Sequence, residues 1–170
     1  MDYDEYLSCV KANYSEEQDV VIERYKTKIF YEENFDSKWL LGTKVKVSSF
    51  VTYVHRITEH DISHYSDVCF ARAVTNRVIA TKYRPRDAVS VFSFNLLVSE
   101  KVSAEAIEFV KKRPKKHYAA MEMPIIFDLS KNKIYYYEKT PMWGRVFYKS
   151  IRKYIEKNFN VQHTRPPRSD

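Results

Sequence analysis

Glycine is nearly missing from this chain: Gly42 and Gly144 are the only two in 170 residues. A GxxxxGK[ST] phosphate loop, a GxGxxG dinucleotide turn and a GxSxG nucleophile elbow all need glycines where the backbone turns tightly or approaches a ligand. None of the three can be written here, which excludes the commonest nucleotide-binding and hydrolase designs. No other cofactor motif stands in their place, and none is expected. Cysteine is equally scarce. Cys9 and Cys69 are too few and too isolated for a disulfide framework, and the reading is of a cytoplasmic protein with reduced thiols. Long apolar runs are absent too: nothing approaches the roughly 20 residues of a membrane-spanning helix. The opening MDYDEYLSCV lacks the charged and apolar regions of a signal peptide.

What the chain has in quantity is aromatic residues and positive charge. There are 14 tyrosines and 10 phenylalanines, suited to sheet faces or to stacking on bases. The net charge is +7, unevenly placed. Residues 1–40 hold ten acids and five bases, whereas the remainder hold twelve and 24. Such asymmetry fits an anionic partner, an acidic segment that masks a basic surface, or plain solubility.

The clearest pattern lies between His117 and Phe159. Residues 119–129 are mostly apolar and Ile134 to Glu138 are β-branched and aromatic, with the polar Ser130-Lys131-Asn132-Lys133 between them. This predicts a hairpin with Asn132 in the left-handed region. Pro124 cannot donate to a ladder, so it belongs at an edge, a bulge or a strand start. Thr140-Pro141 reads as an N-cap and first helical position. Beyond it Trp143, Val146, Phe147, Ile151, Tyr154 and Ile155 recur at helical spacing. That stripe is expected to lie on the hairpin, with Arg145, Lys149, Arg152 and Lys153 left in water. Gly144 is costly in a first helical turn, and packing is the expected reason for it.

Upstream, Tyr3, Tyr6, Leu7, Val10 and Tyr14 mark a helix. Ser15 and Gln18 have capping-box spacing, and a second helix through Val21, Tyr25 and Ile29 is expected, although VVIERYKTKIFY also suits a strand. Asn34 to Ser37 reads as a loop and Trp39 to Ile57 as strand, broken or bent. Thr58 with Asp61 opens a helix to about Asn76. Residues 88–98 form a strand, apolar on both faces and therefore central, and Ser103 caps a short helix. The expectation is one α+β domain over residues 1–159, a mainly antiparallel sheet with helices packed on it. Its residues 1–36 form an acidic helical segment, and 160–170 form a disordered tail.

Three groups of residues carry chemical possibilities. His55, His60 and His64 are spaced H-x4-H-x3-H, and His60 and His64 share a helical face as paired metal ligands do. Asp61 in the same turn also suits a helix start electrostatically. Glu122, Asp128, Glu138 and Lys139 are the acids and lysine around the hairpin. A metal-dependent nuclease sets an Asp and an E-x-K triplet on neighbouring strands, but here Glu138 and Lys139 are adjacent and point to opposite faces. Lys82, Arg84 and Arg86, then Lys111, Lys112, Arg113, Lys115 and Lys116, then Arg145, Lys149, Arg152 and Lys153 are basic clusters of the kind phosphate backbones reward. The function expected is therefore a binding protein rather than an enzyme, contacting nucleic acid or another polyanion. The rivals are a metal-dependent phosphodiesterase or nuclease, and a protein-interaction subunit of a homo- or hetero-oligomer.

Overall fold

The computed structural model describes residues 1–32, 44–82, 89–112, 114–117, 120–139 and 145–161. Along the chain run α1 (Tyr3–Lys11), β1 (Glu17–Ile22), β2 (Tyr25–Glu32), β3 (Lys44–Tyr53), α2 (Glu59–Lys82), β4 (Val89–Ser99), α3 (Ala104–Lys111), β5 (Lys116–His117), β6 (Ala120–Asp128), β7 (Lys133–Tyr135) and α4 (Arg145–Phe159). They form a single α+β domain in which one mixed sheet is covered by helices on both faces. Strand order is β1-β2-β3-β4-β6-β5, with β7 also pairing β6. Four of the six pairings are antiparallel, as expected. The two at the centre, β3 with β4 and β4 with β6, are parallel. Parallel neighbours need long crossovers, and α2 and α3 supply them.

Alternation along the strands sorts the core into two layers. Val47 and Val51 of β3 with Phe92, Phe94, Leu96 and Val98 of β4 face α1 and α4, meeting Tyr6, Val10, Ile151, Tyr154 and Phe159. Phe50, Val91, Leu97 and Ile126 face the other way, onto Ile62, Tyr65, Cys69 and Ala73 of α2 and Ala106 and Val110 of α3. Between them β4 is buried on both sides from Val91 to Ser99, which is why its sequence reads as a nearly unbroken apolar run.

Capping follows the sequence closely. Asp2 and Glu5 close a reciprocal capping box on α1, Thr58 and Asp61 exchange bonds at the start of α2, and the Ser103 side chain accepts from Ala106 N–H at α3. In the β6–β7 turn, Asn132 has φ of 49°, the left-handed conformation anticipated for it. Pro124 sits in mid-strand at a local edge. Among the described residues, β5 pairs only Ala120 and Met121 on the outer side of β6 and β7 only Ile126 to Asp128, which leaves no described acceptor for a donor between them.

Two expectations are corrected. The second helix of the acidic segment 1–36 is instead the hairpin β1–β2, turning at Glu23 with φ of 52°. A helix buries one stripe, whereas here Tyr25, Thr27 and Ile29 are buried on one face and Phe30 on the other. The tail was expected from residue 160, but Asn160 bonds Glu156 and Val161 is buried in the core at 3% exposure. The Asn34–Ser37 loop, the Thr140-Pro141 cap and Gly144 lie outside the described residues, as do residues 162–170 of the tail.

Candidate polyanion-binding face

Helix α4 places its apolar stripe inward at Tyr148, Ile151, Tyr154, Ile155 and Phe159, anchored by the edge-on contact of Tyr148 with Tyr137 and the stack of Tyr154 on Phe94. With that face fixed, Lys149, Lys153 and Lys157 are exposed. They stand at i, i+4 and i+8 on one line, about 6 Å apart along the axis. Arg152 donates from Nη1 to the Glu138 carbonyl at 3.1 Å, which brings the exposed Lys139 beside the helix. Among the described residues, none of Lys139, Lys149, Lys153 and Lys157 has a carboxylate within ion-pair distance. The nearby Glu156 is engaged by Tyr136 Oη and Asn160 Nδ2, each at 2.6 Å. Lys157 was missed from sequence, although its spacing from Lys149 and Lys153 is the signal that finds it.

The other basic residues are placed differently. Lys111 pairs with Glu108 at 3.0 Å and Lys115 pairs with Asp67 of α2, while Lys112 is exposed. These belong to the α2–α3 side of the sheet, so the structure does not bring them together with the α4 line. Only the backbone is described for Lys82, Lys116 and Arg145. Arg84, Arg86 and Arg113 lie outside the described residues.

The acids around the hairpin are held apart. Asp128 is opposite Lys133 in the β6–β7 register, whereas Glu138 lies three residues beyond the end of β7 at Tyr135. Asp128 is 1% exposed. Its Oδ1 accepts from Ser130 Oγ at 2.6 Å and Lys131 N–H at 3.2 Å, and Lys131 Nζ lies 3.1 Å from Oδ2. Burial pushes this carboxyl up, but the bonds from Ser130 and Lys131 outweigh burial and hold it below the ordinary carboxylate range. Glu138 and Lys139 are exposed.

The histidines do not gather either. His55 Nε2 meets Lys101 Nζ at 3.3 Å. His60 and His64 stack with centroids 5.9 Å apart, and His64 Nε2 faces Glu23 at 3.2 Å. Asp61 is committed to Thr58 and Arg24. Among the described residues no three His, Cys, Asp or Glu side chains are grouped as metal ligands.

Sequence reasoning also missed a buried polar row beneath α2. Glu122, 3% exposed, accepts from Ser66 Oγ at 3.2 Å. Asn95 Nδ2 donates to Ser66 Oγ at 2.8 Å, Ser93 Oγ bonds Asn95 Oδ1, and His117 Nε2 lies 3.4 Å from Glu122 Oε1. The signal was present as Ser93 and Asn95, two residues apart in the otherwise apolar stretch from Val91 to Val98. At the carboxyl ends of the parallel strands a further cavity of about 320 Å³ is lined by Arg56, Lys101, Lys131, Asp128 and Glu100. Asp128 holds Lys131 there and Glu100 accepts from Tyr53 Oη at 2.7 Å, so three bases face two acids.

Fold and surface together define an α+β domain that presents, on one helix, a line of lysines with no carboxylate partner among the described residues. No protein-family model, no curated protein and no solved structure matches this chain. Among the described residues no helix is long and apolar enough to cross a membrane.

Proposed function

We propose that this protein binds a nucleic acid or another polyanion, without chemical turnover, through the outer face of α4. The observation that carries the reading is the line of exposed lysines, Lys149, Lys153 and Lys157, with Lys139 beside it and no carboxylate partner for any of them among the described residues. A solvated helix face usually interleaves both signs, and ion pairs then consume the charge, as Glu108 does for Lys111 on α3. Cations left unpaired on a rigid helix are available to displace counterions from phosphates. The same reading takes the protein as cytoplasmic, supported by the free thiols of Cys9 and Cys69.

The test is fluorescence anisotropy of labelled single- and double-stranded oligonucleotides, titrated at several salt concentrations with and without Mg²⁺. Binding that weakens steeply with salt is expected, and it should fall about tenfold or more in the triple variant K149E/K153E/K157E. Equal affinity for that variant, or no binding at low salt, overturns the assignment. Loss of signal only with Mg²⁺ would replace pure binding with cleavage.

A further inference from the structure

A nucleic acid offers a protein its phosphates and its bases, and different side chains meet each. Base edges are read by arginine, asparagine and glutamine through paired hydrogen bonds, and unpaired bases stack on aromatic rings. Helix α4 carries such residues, but packing turns them inward. Arg152 donates to the Glu138 carbonyl. Asn158 is 3% exposed, and its Nδ2 bonds the Tyr154 carbonyl at 3.1 Å. Asn160 is held by Glu156. The rings of Tyr148, Tyr154 and Phe159 are buried. Tyr154 stacks on Phe94, and its hydroxyl is set between Tyr14 Oη and Ser49 Oγ. Tyr136 and Tyr137, on the chain that leads to α4, are buried as well.

Among the described side chains of α4, the exposed ones are Lys149, Lys153 and Lys157. Eight residues separate the first from the last, so the row is about 12 Å long. A lysine ammonium is a compact charge on a flexible stem, without the planar fork that fixes the direction of a guanidinium. Lysine can bond a guanine edge, but among the described residues no acceptor holds any of these three in one direction. Each is therefore drawn to the densest negative charge, which is the phosphate backbone.

We propose that α4 reads the phosphate backbone of nucleic acid and is blind to its bases, a narrowing that rests on the polyanion reading of the same lysines. Lys149, Lys153 and Lys157 each take one phosphate, so affinity follows phosphate number and salt rather than sequence.

The test is competition anisotropy against a labelled oligo-dT strand, using unlabelled strands of the same length. These are oligo-dT, a mixed sequence containing guanine, and an abasic strand that keeps the sugar-phosphate chain alone. All should compete within about threefold of one another, with a slope of log affinity against log salt of about −2 for three single-strand contacts. The triple variant K149E/K153E/K157E should bind all of them about tenfold or more weakly. An abasic strand weaker than the others by more than about threefold, or a guanine-containing strand tighter by more than that, overturns base-blindness and leaves polyanion binding in place. Failure of every strand to bind at low salt, or undiminished binding by the triple variant, overturns both.

Discussion

Asp128 shows what a single buried carboxylate contributes here. It closes the β6–β7 turn, accepting from Ser130 Oγ and from the Lys131 N–H and pairing with the Lys131 ammonium, and its carboxyl is held below the ordinary range. A carboxyl depressed in the folded state stabilises that state above its unfolded pKa, and this stability is lost as pH falls through the folded value. The acid limb of a stability-versus-pH curve should therefore be shallower in Asp128→Asn, and stability at pH 7 lower than in the unmodified chain. Chemical denaturation from pH 7 down to pH 2 checks both. The two cysteines give a second expectation. Burial pushes the Cys69 thiol well above its ordinary value, and only the thiolate reacts with alkylating agents. Iodoacetamide on the folded protein should label the half-buried Cys9 first, with Cys69 following only on unfolding, as read by peptide mass mapping. Residues with a local duty were legible in advance. Asn132 in its turn and Ser103, Thr58 and Asp61 at helix starts need only their sequence neighbours to be explained. Glu122 was visible as an acid, but its partner was not, because Ser66 reaches it, and Asn95 reaches Ser66, only through strand pairing and the crossover of α2.

At the scale of elements, α4 carries the functional prediction. If Lys149, Lys153 and Lys157 each contact a phosphate, neutralising one of them should lower the slope of log affinity against log salt by about one. Lys111→Ala, whose charge already serves Glu108, should leave that slope unaltered. Anisotropy titrations at four or five salt concentrations separate the two. Helices were easier to anticipate than strands, because a stripe such as Ile151, Tyr154 and Ile155 is a local pattern of period 3.6. The β1–β2 hairpin was harder. Burial alternates along it, with Tyr25, Thr27 and Ile29 inward and Lys26 outward, but the apolar Val21 stands in water, so the run Val20-Val21-Ile22 hid the period of two.

For the molecule as a whole, stability rests on two apolar layers pressed against the central strand. Phe94 is 1% exposed and stacks on Tyr154, tying α4 to β4. Phe94→Ala should cost about 3–5 kcal/mol, lowering the melting temperature by on the order of 10 °C for a chain of this size. Calorimetry would test it, with the exposed Tyr53 truncated as the control that should shift melting far less. The fold class was readable from the order of helices and strands, but the strand order was not. Nothing local distinguishes β3 and β4 as parallel neighbours, because their pairing depends on where α2 returns the chain.

The parallel centre also dictates how the chain reaches its native state. The β1–β2 and β6–β7 hairpins join neighbours in sequence and can form on the microsecond scale. The pairings that define the middle of the sheet must wait: Val51 meets Leu96 and Leu96 meets Ile125 only after α2 and α3 have closed their long loops. Such non-local contacts raise contact order and slow folding. Strand β4, buried on both sides, therefore gains its two neighbours only once both crossovers have closed.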